Sequence, residues 1–384
     1  MRRAWVALLL AGCGFQTRAA SSDPLEPTLD ASLADATPDG ELPGPPICWS
    51  IDGNALHVKT CAPTLAMIDL ASDVRIDTTP GAANQPLACA PLTSDSTTDA
   101  CALAANTIRI RAGARLSAQG TRPLALLAHT IDLEGTVDVA AHFGGPPGPG
   151  SNPELCTSAA GLQAPTGDGG GQGGTHDNNG GDGGNGGTGA GGHAGDTSAL
   201  SELFGGCPGW GNAGAAPPAG AGGGGGGAVW IAADTGMLTI AASATINASG
   251  AGGPGGVATA GQRGGYGGGA GGLILLQAVN ISLDPAAVLF ANGGHGGGGA
   301  GSGPGAAGTD PDGPTSGGDG GTTGTVSSGH AGKGGSGYPA TAPGGDADMA
   351  NGGGGGGGGQ GAVQLFPFQT IKNLTKVSPP LSEP

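Results

Sequence analysis

The stretch GGGGGGAVWIAADTGMLTI, residues 222–240, runs from a glycine tract into a short apolar run and then into an alternating segment. In Leu238-Thr239-Ile240 the apolar side chains fall on every second position, which is typical of a β-strand with one buried face. Comparable apolar runs occupy residues 124–128, 228–232, 273–277 and 362–366. The last three each follow a glycine tract, so the stretch is one copy of a repeated unit.

Alternating segments follow the other runs as well, at residues 131–133, 137–139 and 279–283, with less clean copies at 67–77 and 108–116. Short strands that cannot bury an apolar face alone have to stack on their neighbours. We therefore expect an all-β fold, a parallel β-helix (solenoid) over residues 47–377. It would have about four to six coils of two or three short strands, with rungs about 4.8 Å apart.

The competing fold is an antiparallel sandwich, which would place tight NG or DG turns between adjacent strands. Here the internal turns LEGT, AASA and LDPAA recur at one place in the unit, which favours the solenoid. Over residues 55–377 the chain resembles right-handed β-helix surface proteins in its alternation and its recurring polar turn. Its GGxGG tracts between short apolar strands also resemble glycine-rich PGRS-type envelope proteins.

Glycine supplies 88 of the 384 residues and concentrates in three predicted loop insertions, at 144–227, 250–272 and 292–361. From Gly180 to Asp196 it recurs at every third position. Collagen is disfavoured, because it needs abundant proline between the glycines. Two interpretations stay open, flexible loops and polyglycine-II, an extended threefold helix that bundles because no Cβ blocks close approach. The second resembles glycine-rich adhesin tips and certain antifreeze proteins.

In either interpretation we expect the glycine loops to hang from one corner of the solenoid. Removing residues 144–227 should then leave thermal stability largely intact. The histidines His176, His193, His295 and His330 fall singly in these loops, without a carboxylate at a spacing useful for chemistry.

The N-terminus has the sequence features of an export signal. Basic residues at positions 2 and 3 precede the apolar run AWVALLL, which is too short to span a bilayer, and the sequence LAGC ends at Cys13. This pattern resembles the lipobox of bacterial lipoproteins, which implies removal of residues 1–12 and lipidation of Cys13. The alternative is an ordinary secretory signal with an incidental cysteine. Because Gly14 rather than Asp follows the cysteine, we expect the outer membrane.

Residues 13–46 are rich in proline and acidic side chains, so they should form an extended, solvated tether. Residues 378–384 form a short C-terminal tail.

Cysteine number supports export, since seven cysteines minus Cys13 leave an even six. Sequence neighbours favour disulfides within the pairs Cys48 and Cys61, Cys89 and Cys101, and Cys156 and Cys207. Six cysteines allow 15 connectivities, so other pairings stay open. A zinc site is less favoured, because no CxxC pair occurs. We expect no metal and no cofactor.

Charge excludes nucleic acid as a partner. The formal net charge is -16, with 13 Lys and Arg against 29 Asp and Glu. A phosphate backbone needs a basic footprint, which this chain lacks.

An enzymatic interpretation rests on resemblance to β-helix lyases and glycosidases, which cluster carboxylates on adjacent rungs. The weak candidates are the outward-facing residues Asp132, Glu134, Asp138, Arg109 and Arg111. The matching positions further along the chain are uncharged, at Thr239, Asn280 and Ser282. Opposite charges on stacked strands more often form a solvated ion-pair ladder.

The sequence therefore favours a lipid-anchored, non-enzymatic structural or adhesive surface protein of the cell envelope. Its partners would be the membrane, through the anchor, and a surface polysaccharide or another cell surface. The alternative is a polysaccharide-active β-helix enzyme, a lyase or a glycosidase.

Overall fold

The computed structural model describes 46–52, 57–83, 85–92, 99–151, 154–157, 161–187, 189–197, 202–211, 222–260, 262–315, 320–325, 332–335, 337–339, 341–366 and 376–382. The predicted signal peptide (1–12), the lipidation site Cys13 and all but the last residue of the predicted tether (13–46) lie outside these residues.

Strands account for nearly all regular structure in the described residues, which also include one short 3-10 turn at Glu154–Thr157. The strands are β1 (Ile47–Asp52), β2 (His57–Ala62), β3 (Leu65–Leu70), β4 (Val74–Asp77), β5 (Cys101–Ile110), β6 (Arg115–Gln119), β7 (Leu124–Leu133), β8 (Thr136–Asp138), β9 (Ala228–Ile240), β10 (Thr245–Asn247), β11 (Leu273–Leu283), β12 (Val288–Phe290), β13 (Ala362–Phe366), β14 (Val377–Ser378) and β15 (Leu381–Ser382).

Thirteen of these strands form two parallel sheets, and consecutive strands alternate between them. Sheet one has seven strands in the order β15-β13-β11-β9-β7-β5-β3, and sheet two has six in the order β14-β12-β10-β8-β6-β4. The remaining two strands, β1 and β2, form an antiparallel hairpin. The predicted all-β class and the parallel pairing are thus confirmed.

The two sheets are held together by ladders of apolar side chains. In sheet one the register aligns Leu103, Leu126, Ile231, Leu276 and Leu365 on successive strands. In sheet two it aligns Val74, Leu116, Val137, Ile246, Leu289 and Val377. Apolar residues from both ladders belong to one buried cluster. The period of two therefore brings the same face of every strand to a common core.

The first half of each long strand in sheet one is buried on both faces, which explains the unbroken apolar runs. Its outer face packs against the β1–β2 hairpin, where Trp49, Ile51 and Val58 share a cluster with Trp230. Gln277 fastens the hairpin in place, because its Oε1 accepts a hydrogen bond from Trp230 Nε1 at 3.1 Å and its Nε2 donates to the carbonyl of Ser50 at 2.8 Å. Each large side chain fully buried in this way contributes about 1.5–3 kcal/mol.

All three glycine tracts leave the end of a sheet-two strand and return to the start of the next sheet-one strand. We call the described parts of these connections, within residues 139–227, 248–272 and 291–361, the glycine bundle. The sequence left open whether these connections are flexible or packed, and in the structure their described parts are packed. Hydrogen bonds continue from sheet one into the bundle, since Ala362 N donates to Gly272 O at 2.9 Å and Leu273 N to Gly227 O at 3.1 Å.

Residues 353–361 run through the middle of the glycine bundle and bond to neighbours on six sides. Amides three residues apart donate to the same neighbouring segment. Gly353 bonds to Asp168 and Gly356 to Gly171, Gly354 bonds to Gly345 and Gly357 to Ala342, and Gly355 bonds to Gly297 and Gly358 to Gly294. The carbonyls accept from three further neighbours, at Gly265 and Gly268, Gly184 and Gly181, and Gly335 and Tyr338. The three-residue spacing of glycine from Gly180 to Asp196 therefore has the same period as this hydrogen bonding.

Many positions of this arrangement admit only glycine, because the neighbouring backbones approach too closely for a side chain. A Cβ on Gly356 would lie 1.9 Å from the carbonyl oxygen of Gly181. Residues 170–184 contribute several of the interlocked backbones, and Leu203 and Phe204 belong to the core cluster under the hairpin. Removing residues 144–227 would therefore take away part of the packed structure rather than a loose loop.

Three disulfides join Cys48 to Cys61, Cys89 to Cys101 and Cys156 to Cys207. These are the pairs that sequence proximity favoured. Disulfides persist in oxidising compartments, so this chain folds outside the reducing cytosol. Within the described residues, we find no helix with the length and apolar character needed to cross a bilayer.

A polar cleft on sheet two and a charged face on sheet one

The outer face of sheet two carries a polar cleft, a cavity of about 490 Å³ lined by Arg75, Arg115, Ser117, Gln119, Asp138 and His142. Strand register builds its floor, because Arg75, Ser117 and Asp138 are aligned on β4, β6 and β8. Their neighbours Leu116 and Val137 point into the core, so the alternation of a strand turns these polar side chains outward. We call this cavity the sheet-two cleft.

One wall of the sheet-two cleft is the segment that follows β8, which contains His142, Pro146 and Pro147. His142 Nε2 lies 3.1 Å from Asp138 Oδ2, and His142 Nδ1 lies 3.7 Å from Asp310 Oδ2. Asp310 in turn accepts hydrogen bonds from the amides of Phe143 at 2.9 Å and Gly252 at 2.7 Å. The imidazole thus joins sheet two to the glycine bundle and fixes the wall.

The electrostatics of this wall favour a charged imidazole. Hydrogen bonds to Asp138 and then to Asp310 raise the pKa of His142 to about 9, so it is protonated at neutral pH. Burial alone would raise the pKa of the Asp138 carboxyl, but hydrogen bonds from His142 and Arg115 hold it below its ordinary value. Asp138 is only 4 % exposed, so these two cations compensate a carboxylate that is nearly out of water.

Arg75 differs from the other cations of the sheet-two cleft. Its guanidinium donates to the neutral side-chain oxygen of Gln119, and within the described part of the chain it forms no ion pair. The nearby carboxylate of Asp77 accepts a hydrogen bond from the amide of Thr79 at 2.9 Å, and hydrogen bonds from Thr79 and then the charge of Arg75 lower its pKa. By contrast, Arg115 is paired with Asp138.

The outer face of sheet one carries the other charged group, on the second half of its strands. The register aligns Asp69, Arg109 and Asp132, and then Thr239 and Ser282, so the charges end within one strand of Asp132, as predicted. Ion pairs join Arg109 to Glu134 at 2.7 Å and Arg111 to Asp69.

The candidate catalytic carboxylates do not form one group. Asp132 lies on the charged face of sheet one and Glu134 follows it, whereas Asp138 lies on sheet two. A hydrogen bond from Arg109 lowers the pKa of Glu134, which keeps this side chain ionised and makes it a poor general acid at neutral pH.

Histidine–aspartate pairs were missed in the sequence. His193 was expected to stand alone in its glycine tract, but its Nδ1 lies 2.7 Å from the carboxylate of Asp182. His129 similarly lies 2.7 Å from Asp234, on the neighbouring long strand of sheet one. Spacing along the chain does not indicate either pair. The glycine tract folds back and brings His193 to Asp182, and the parallel register of β7 and β9 brings His129 to Asp234.

Comparison with other proteins gives no match to this chain, whether among protein-family models, curated proteins or solved structures. Among the described residues, no three His, Cys, Asp or Glu side chains are grouped so that they could hold a metal ion. The function of the chain has to be inferred from its own residues.

Proposed function

We propose that this chain is a lipid-anchored surface protein of the bacterial cell envelope, which serves as a structural and adhesive scaffold and contacts polysaccharide. In this proposal the two sheets are the faces of one parallel β-solenoid. Support comes from the strand order, since successive strand pairs from β3–β4 to β11–β12 each add one strand to both sheets.

The observation that carries the proposal is the hydrogen bonding of the glycine bundle. We assign it polyglycine-II packing, because every third amide along residues 353–361 bonds to the same neighbour and the segment has neighbours on six sides. Such a bundle is a rigid body, so it holds surface groups in place without an entropic cost on contact. A rigid display surface suits adhesion, whereas flexible glycine linkers would suit only spacing.

Export and anchoring complete the proposal. The lipobox-like LAGC at residues 10–13 would attach Cys13 to lipid, and two or more acyl chains anchor a protein stably. The acidic, proline-rich residues 14–46 would then hold the folded part away from the membrane. Three disulfides agree with a location outside the cytosol.

Adhesion to polysaccharide has support from the sheet-two cleft, whose volume of about 490 Å³ falls in the range of small-ligand sites. The enzyme alternative has less support. Glu134 is held in an ion pair with Arg109, and Asp138 lies on the other sheet from Asp132.

The test is expression of the full chain in a bacterium with an outer membrane. We expect the chain in the membrane fraction, labelled by antibody on intact cells, and a Cys13→Ser variant released from the membrane. Cells displaying the chain should adhere to at least one polysaccharide of an immobilised panel, and cells without it should not. Absence of surface labelling, or equal adhesion of both kinds of cell, would contradict the proposal.

A further inference from the structure

We propose that the sheet-two cleft binds a carboxylate-bearing saccharide, with the guanidinium of Arg75 as the group that pairs with the ligand carboxylate. This inference rests on the proposed polysaccharide contact and names its chemistry.

Local charge is the first support. Three cations, Arg75, Arg115 and protonated His142, line the cleft with two carboxylates, Asp73 and Asp138, and two further carboxylates outside the lining, Asp77 and Asp310, interact with Arg75 and His142. The cleft thus concentrates cations in a chain whose net charge is -16, and an anionic ligand finds positive partners there.

Arg75 is the cation with capacity for a ligand. Arg115 and His142 both pair with Asp138, whereas the partner of Arg75 is the neutral amide oxygen of Gln119. A guanidinium presents a planar fork of donors that matches a carboxylate. Arg75 offers one guanidinium for one carboxylate, so a single uronate unit of a longer saccharide would occupy the cleft.

The remaining lining suits a sugar. The hydroxyl of Ser117 and the amide of Gln119 can bond to sugar hydroxyls, and Pro146 and Pro147 offer an apolar wall for the C–H face of a ring. The wall is held before any ligand arrives, through His142, Asp138 and Asp310. A preformed site loses little conformational freedom on binding.

The experiment is isothermal titration calorimetry at pH 7 on the full chain with Cys13→Ser, which avoids detergent. The probes are trigalacturonate and its methyl ester, which keeps the sugar chain and removes the charge. We expect trigalacturonate to bind, the ester to bind about tenfold more weakly or not at all, and affinity to fall with added salt.

Two variants locate the site. Arg75→Met should weaken trigalacturonate binding about tenfold or more, and Arg75→Lys should weaken it less. Arg111→Met is the matched control, because it removes the same charge from a half-exposed arginine that directly follows β5 of sheet one, and it should leave affinity unchanged. Arg75 is exposed, so both variants should fold, which a thermal melt checks.

Three results would overturn the assignment: no binding of trigalacturonate, equal binding of the ester, or unchanged affinity in Arg75→Met. If any of these occurs while displaying cells still adhere to polysaccharide, the adhesive function stands and its contact lies elsewhere. If trigalacturonate binds through Arg75 but the cells do not adhere, the cleft assignment stands and the adhesive function fails.

Discussion

His142 Nε2 lies 3.1 Å from Asp138 Oδ2, while the other ring nitrogen of His142 faces Asp310 at 3.7 Å. One imidazole therefore joins the end of β8 to the third glycine tract. Since its charge supports both contacts, the junction between sheet two and the glycine bundle depends on pH.

The stability of this junction should fall in alkali. The pKa of His142 is raised from 6.5 to about 9, so its contribution is fully present below pH 6.5 and is lost as the pH rises through about 9. The side chain is 51 % exposed, so solvent screening limits the effect to about 1 kcal/mol. Urea unfolding at pH 6 and pH 9.5 should show this difference.

The matched control for His142 is His57→Gln, which removes a histidine whose partner Asp52 is 92 % exposed. We expect His142→Gln to reduce the difference in stability between the two pH values and His57→Gln to retain it. An unchanged difference in His142→Gln would refute the role assigned to His142.

A second histidine should make the chain sensitive to acid. His176 is buried beside Phe204, and burial lowers its pKa to about 4. A histidine held neutral in the fold stabilises it above pH 6.5, and this contribution is lost progressively as the pH falls from 6.5 to about 4. The loss should amount to about 3 kcal/mol.

Urea unfolding between pH 7 and pH 4 measures this effect. In His176→Gln the decline over this range should be smaller than in the unmodified chain, because glutamine does not titrate. Parallel curves for the two proteins would show that His176 is not the group responsible.

Glycine should be required inside the bundle but not everywhere. Gly356→Ala would place a Cβ 1.9 Å from the carbonyl oxygen of Gly181, whereas at Gly313 a Cβ meets nothing within 4 Å. Overpacking of this kind costs about 3 kcal/mol, so Gly356→Ala should lower the melting temperature by several degrees. Gly313→Ala is the control and should melt like the unmodified chain. Equal melting of both variants would argue against close backbone packing.

The disulfide between Cys156 and Cys207 should contribute more than the shorter ones. It closes a loop with a sequence separation of 51, against 12 for Cys89 and Cys101. Loop-closure entropy predicts losses of about 4 and about 3 kcal/mol when each pair is replaced by alanine. Urea unfolding of the two double variants tests the order, and a reversed order would contradict the loop-closure explanation.

Strand periodicity sufficed to predict the parallel sheets and the stacking of Arg109 beside Asp132, because both depend on alternation and register. It did not predict that the β1–β2 hairpin covers sheet one, since an apolar run does not identify its partner. Packing of the glycine tracts was one of two open interpretations, but the pairing of their backbones was not predicted, because glycine has no side chain that indicates its neighbours. The contact of Phe143 with Asp310 joins residues 167 positions apart, which no local pattern encodes.

The most direct test of the central claim is amide hydrogen exchange of residues 353–361 in the oxidised full chain. Eight of these nine amides, all except that of Gln360, donate to carbonyls of neighbouring segments of the glycine bundle, so we predict for them protection as strong as that of the core strands β7 and β9. Exchange within seconds at neutral pH, as in an unstructured glycine linker, would contradict the hydrogen-bonded bundle and with it the rigid surface scaffold.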